Sequence, residues 1–119
     1  MRMKLFVTIT TLFLGFASFT AQSAPDPAKA KETFDQMCAG CHGFQGDGKD
    51  GTKSGFVPRV PTLSIKHYME ELPDDYLFLI IKKGGAYMGK MAAMPAWEQK
   101  FSDEEIRDLV AHIRTFKLN

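Results

Sequence analysis

Apolar positions along the chain group into helical stripes separated by polar or proline-broken stretches. Ala30, Phe34 and Met37 recur at helical spacing behind Asp26-Pro27, a good N-cap followed by a residue suited to the first helical position. That pattern predicts a first helix running straight into Cys38. Thr62-Leu63-Ser64 predicts the opening of a short helical piece reaching Glu71. Leu72-Pro73-Asp74-Asp75 reads as another helix start, with acids in its first turn. The run Tyr76 to Ile81 is apolar all round and could pass for a strand. Its flank, Lys82-Lys83-Gly84-Gly85, is a helix C-terminus, so a buried helix is expected. The last helix is the best marked. Ser102 and Glu105 form a capping box, Phe101 can staple onto Ile106, and Ile106, Leu109, Val110 and Ile113 make an inner face.

Between these elements, residues 43–55 are rich in Gly, Asp and Lys and read as an exposed loop, while 56–61 are held extended by prolines. No strand precedes the glycines, so a dinucleotide-binding reading fails. No alternation of strands and helices is present.

The first 23 residues have the layout of a secretory signal peptide. Arg2 and Lys4 supply a positive start, Leu5 to Phe19 is a mostly apolar run too short for a comfortable membrane span, and Ala21-Gln22-Ser23 fits the small-x-small cleavage rule. The expected division is therefore residues 1–23 as signal and 24–119 as one small domain, exported and without a transmembrane span once cleaved. An uncleaved anchor is the alternative.

Export bears on the chemistry of the two cysteines, which stand in Cys38-Ala39-Gly40-Cys41-His42. This is the Cys-x-x-Cys-His pattern of covalent c-type haem attachment. Residues three apart share a helical face, so both thiols can meet one porphyrin edge, and the adjacent imidazole can reach iron from one side. Three other readings compete. A redox disulfide expects βαβ patterning around it. A zinc site normally needs four ligands, and only His42, His67 and His112 could complete one. A pair merely buried in a core leaves the histidine unexplained.

Charge adds an exclusion. The whole chain carries 15 basic and 14 acidic side chains, a net +1; without Arg2 and Lys4 it falls to −1. Nothing in that balance suggests a nucleic-acid partner.

With these features in order, the chain resembles class I c-type cytochromes, the small soluble monohaem electron carriers of bacteria, over essentially all of residues 24–119. Phe34 precedes Cys38 by one turn, the Cys-x-x-Cys-His motif leads into a Gly-rich loop at Gly43, Pro61-Thr62-Leu63 resembles the family's Pro-x-Leu, and Met94-Pro95-Ala96-Trp97 resembles its Met-Pro segment. The resemblance implies an all-α fold, three to five helices around one haem c. It implies thioethers at Cys38 and Cys41, iron ligation by His42 and Met94, and a Pro61 carbonyl accepting the other ring N–H of His42. It also implies that Phe34 packs on Leu109 and His112 where the first and last helices cross. His112 stands where an aromatic is usual, and the span from His42 to Pro61 is longer than in the shortest members.

Met37, Met69, Met88 and Met91 are expected to be gap-filling, with Met94 favoured as ligand because Pro95 stiffens the backbone beside it. His67 is expected to face solvent. Lys49, Lys53, Lys82, Lys83 and Lys90 could ring an exposed haem edge. The function expected is that of a periplasmic one-electron shuttle between larger redox proteins, a monomer or a subunit of a redox complex, and not an enzyme. Two alternatives stand beside it: a haem enzyme or gas sensor with an open sixth position, and a haem subunit docked permanently to an oxidoreductase.

Overall fold

A computed structural model describes residues 23–49 and 60–116. The expectations for residues 1–22, for the loop at 50–55 with Lys53, and for the extended residues 56–59 lie outside them. The described residues form five α-helices, in order α1 (Pro27–Met37), α2 (Ala39–His42), α3 (Lys66–Glu70), α4 (Asp74–Lys83) and α5 (Asp103–Ile113). Among the described residues there is no strand, so the all-α expectation holds.

α1 begins as the sequence indicates. The Asp26 side chain accepts the N–H groups of Ala28 and Lys29, and Pro27 takes the first position. The N–H of Asp26 itself donates to Asp108 on α5 at 2.7 Å, and Lys29 adds its charge at 3.7 Å from the same carboxylate. Asp108 is buried, so its oxygens must be matched by donors. It anchors the start of α1 to the last helix.

α5 carries the complete capping box: Ser102 Oγ accepts the Glu105 N–H, and Glu105 reaches back to the Ser102 N–H at 2.8 Å. Its far end is fixed by Arg114. That guanidinium donates to the carbonyls of Met69 (2.6 Å) and Leu72 (2.5 Å) and to Asp74 (2.9 Å), tying α5 to the junction of α3 and α4. Charge-assisted bonds of this kind are the stronger class.

α1 and α5 cross through one buried cluster holding Ala30, Phe34, Ile106, Leu109 and Ile113. Phe34 is 1% exposed, and its ring meets His112 at 5.3 Å and Phe116 at 5.1 Å. The packing role expected of His112 is observed. Its Nε2 is buried without a hydrogen-bond partner, and burial lowers its pKa below the ordinary histidine value, with the Asp35 carboxylate working in the opposite direction. A histidine with a depressed folded pKa refuses a proton that the unfolded chain accepts. Stability should therefore fall as pH drops below about 6.5, the unfolded value. His112→Phe should remove that loss: between about pH 7.5 and 5 its thermal midpoint should fall less than the parent's. Parallel midpoint–pH curves would show that the folded imidazole takes up its proton as readily as in the unfolded chain.

α4 differs from the expectation of a helix buried on every side. Leu77 and Ile81 are buried, but Leu79 is exposed, and Tyr76, Ile80 and Ile81 line a cavity. The surplus of apolar residues is explained by that cavity rather than by a neighbouring helix.

Candidate haem site

The Cys-x-x-Cys-His motif begins where α1 stops. The Cys38 N–H still donates to Phe34 at 2.8 Å, but Cys38 departs from helical geometry (φ −117°), and α2 turns away as a separate four-residue helix. Within it the Cys38 carbonyl accepts from both Cys41 (3.1 Å) and His42 (2.9 Å), which keeps the two thiols one turn apart. Gly43 then takes φ +79°, and a Cβ there would meet Asp47 at 2.6 Å. The chain doubles back, with Gly48 donating to the His42 carbonyl at 2.8 Å and Leu63 donating to Gly46 at 2.6 Å. The loop after the motif and the Pro61-Thr62-Leu63 segment are thereby brought together.

Both cysteines are free. The Cys38 thiol is pushed up to about 11, first by burial and then by the nearby Cys41. Redox dithiols work through a depressed pKa, so this environment argues against that alternative. The zinc alternative finds no support either: among the described residues no group of three or more His, Cys, Asp or Glu is placed to hold a metal ion.

His42 is half-buried, burial lowers its pKa, and its Nδ1 is enclosed without a hydrogen-bond partner. The Pro61 carbonyl, expected from the resemblance to accept from this ring, is not bonded to it, although both residues line one cavity. That cavity measures about 540 Å³, within the range of ligand sites. His42, Pro61 and Leu63 stand on its walls together with Leu72, Tyr76 and Ile80, and the methionine loop adds Met91, Ala93 and Met94. A smaller void of about 30 Å³ extends it inward, bordered by Cys38, His42, Met94, Trp97, Phe34 and Leu109.

Met94 is delivered by a loop closed at its base. Gly85 donates to the Met94 carbonyl at 2.9 Å and accepts from Lys90 at 2.8 Å. A 3₁₀ turn at Ala86–Met88 follows, and Gly89 reverses the chain at φ +67°. Beyond Met94, the Trp97 N–H donates to the end of α4 at Ile81 and Lys82 (3.2 Å), and its ring stacks on Phe101 at 5.3 Å. The Trp97 Nε1 is buried without a partner, a second orphaned N–H beside the void.

The other methionines separate clearly. Met69 is fully buried and fills the core as expected. Met88 does not line the cavity, whereas Met91 does and is 55% exposed, so it is a rim residue rather than core filler. His67 faces solvent as expected, 3.5 Å from Glu71. Four of the five lysines named for a haem edge lie within the described residues. Lys82 is held by Asp103 and Lys83 by Glu98, each at 2.6 Å, and Lys49 pairs with Asp47 at 2.9 Å. Lys90 lies at the cavity itself. Sequence reasoning missed Tyr68, Leu72, Tyr76 and Ile80 as cavity walls; the excess apolarity of the 76–81 run was the available signal.

A family model described as cytochrome c oxidase, cbb3-type, subunit III matches residues 25–113. The chain belongs to that family. Among solved structures, the KustC0563 c-type cytochrome has a similar fold, with a TM-score of 0.59, 22% identity, and coverage of 74% of this chain and 96% of that one. A comparison with curated protein sequences finds no match. The protein is thus a c-type cytochrome of the small all-α fold, and the family implies covalently held haem, electron transport and redox partners.

The residues present fit that group. Cys38 borders the inner void of an apolar cavity of suitable volume and Cys41 follows one turn on, a neutral imidazole and a thioether stand on the cavity walls, and two buried N–H groups lack partners. Left unpaired, each such group costs about 1–3 kcal/mol. No helix among the described residues is long and apolar enough to cross a membrane.

Proposed function

We propose that this cytochrome is a single-electron carrier with one haem attached through Cys38 and Cys41, and with His42 and Met94 as axial ligands. The observation that carries the reading is that His42 and Met94 both border the same cavity and the same inner void, next to Cys38. When bound, the haem supplies an Fe(III)/Fe(II) couple.

The chain's own residues do the rest. His42, kept neutral by burial, has a lone pair free for iron. The Met94 sulfur favours the reduced metal and raises the potential. Leu63, Tyr76, Ile80 and Ile81 exclude water from the ring faces. With both axial positions filled no place remains for substrate, which is why the protein is read as a carrier and not an enzyme. Residues 1–23 are read as a cleaved signal that takes the protein to the periplasm, where haem is joined to cysteines. Larger redox proteins are the proposed partners, met through a small and transient interface.

A second reading, a haem subunit held in a larger oxidase, is favoured by two exposed apolar residues of the methionine loop, Tyr87 (67%) and Met91, the latter on the cavity rim. Protein purified from an export-competent host separates the possibilities. The carrier reading expects an intact mass that starts at Ala24 and includes one haem, a single reversible one-electron wave, no carbon monoxide binding at neutral pH, and elution as a free small protein. Haem extracted by acid-acetone would defeat covalent attachment, ready carbon monoxide binding would defeat the two-ligand carrier, and co-elution with an oxidase would favour the subunit.

A further inference from the structure

Two glycines follow α4, and they differ in what constrains them. Gly84 has φ +82°, so its backbone conformation alone disfavours a side chain. Gly85 has φ −62° and ψ −41°, a conformation open to any residue. What excludes a side chain at Gly85 is proximity. A Cβ there would fall on the Met91 carbonyl oxygen, far inside the 3.0 Å that real Cβ atoms keep, and would stand 3.2 Å from the Met94 Cβ. The same residue donates its N–H to the Met94 carbonyl and accepts the N–H groups of Met88 and Lys90. Gly85 therefore touches the methionine loop at four points: Met88, Lys90, Met91 and Met94.

We propose that Gly85 is the positioning residue of this loop. Its bare Cα gives the Met91 peptide a seat against the end of α4, and its three backbone hydrogen bonds set the reach of the loop, so that the Met94 sulfur enters the cavity while Met91 remains on the rim. The inference rests on Met94 as the iron ligand. It adds that the choice of sulfur is made by a residue that offers the cavity wall no side chain.

The consequence is specific. A methyl group at position 85 cannot be relieved by a rotamer change, because the atom it meets is backbone. The Met91 peptide must move out, and Met94, bonded to the same glycine, must move with it. The sixth position then opens for part of the time, and the apparent affinity for an external ligand rises in proportion to the open fraction. Gly89 supplies the control. It lies in the same loop at φ +67°, but a Cβ there meets nothing within 4 Å. Gly89→Ala strains the backbone without driving the Met91 peptide outward.

The test compares the parent, Gly85→Ala and Gly89→Ala as purified holoproteins with equal haem content per chain. In each, the weak long-wavelength iron–sulfur band of the oxidised form and carbon monoxide binding by the reduced form are measured. Gly85→Ala should lose most of the band and bind carbon monoxide at least about tenfold more tightly than the parent, while Gly89→Ala keeps the parent's values. Should Gly85→Ala carry no haem, the double variant Gly85→Ala/Met91→Gly, in which the peptide can turn its carbonyl aside, should recover both haem and band. Gly85→Ala with the parent's band, Gly89→Ala equally opened, or a double variant that recovers nothing would each overturn the inference while leaving Met94 ligation intact. A parent without the band would instead overturn the ligation itself, and the inference with it.

Discussion

Met94→Ala is expected to abolish the long-wavelength iron–sulfur band, lower the reduction potential and make the reduced protein bind carbon monoxide stoichiometrically, with haem content unchanged. Three methionines share the loop between α4 and α5, so reach alone does not choose among them. Their placement does. Met88 sits in the 3₁₀ turn and is absent from the cavity wall. Met91 borders the cavity only from outside, more than half exposed, and its side chain must leave solvent to reach inward. Met94 is half-buried and borders both the main cavity and the inner void, beside His42 in each. Its carbonyl is fixed to Gly85, and three residues later the chain is fixed again at Trp97. A sulfur held at both ends of its segment loses little freedom on binding iron, which favours it over a mobile competitor. Met88→Ala and Met91→Ala should leave band, potential and carbon monoxide refusal as in the parent. If Met91→Ala lost the band and Met94→Ala kept it, the assignment would be reversed.

What the sequence made legible is what depends on neighbours along the chain. The N-cap at Asp26, the capping box at Ser102, the acids opening α4 and the glycine closing it are all local signals, and each element stands where those signals place it. The short helix α3 shows where local reading stops. Thr62-Leu63-Ser64 was expected to open it, yet it starts at Lys66. The Leu63 N–H is taken by the Gly46 carbonyl, a partner seventeen positions back along the chain, and the chain is still extended at Ile65 (ψ 111°), so the helical turn begins only after it. The break at Cys38 and the 3₁₀ turn at Ala86–Met88 are of the same kind: each serves a long-range closure that no local pattern announces. Lys82 and Lys83 illustrate the limit for charge. A solvated, partner-facing role and an ion pair with Asp103 or Glu98 look identical in sequence, and only the fold brings the acids within 2.6 Å.

The site was legible for a related reason. Cys38, Cys41 and His42 carry their chemistry in spacing alone, and Met94 is marked by the proline after it. The cavity walls were hidden because a residue facing a cofactor and a residue facing another helix satisfy the same apolar pattern. Tyr76 and Ile80 were read as core on that account. The surplus itself was visible: α4 holds more apolar surface than one small partner helix can cover, and a haem-sized body is what absorbs it. Gly85 was hidden more deeply, since the sequence marks it only as the second glycine after a helix, and its constraint comes from the Met91 carbonyl.

The largest stability effect is expected at the helix crossing. Phe34→Ala should lower the stability of the holoprotein by roughly 3–5 kcal/mol, the range for emptying a buried phenylalanine site. The ring is 1% exposed, lies edge-on to Phe116 at 5.1 Å, and shares the buried cluster with Leu109 and Ile106. Collapse of the surroundings should offset little of the loss. α1 is held at its start by Asp108 and at its end by the turn into Cys38, so it cannot settle onto α5 without disturbing one or the other. The ring also borders the inner void behind Cys38, His42 and Met94, and removing it enlarges a space already present. A domain of this size has roughly 5–15 kcal/mol in all, so the variant should unfold at a much lower denaturant concentration with an unchanged slope. Phe34→Leu, which keeps most of the volume, should lose less than half as much. An unchanged midpoint for Phe34→Ala would mean that the ring is not enclosed between α1 and α5, and the helix crossing described here would have to be abandoned.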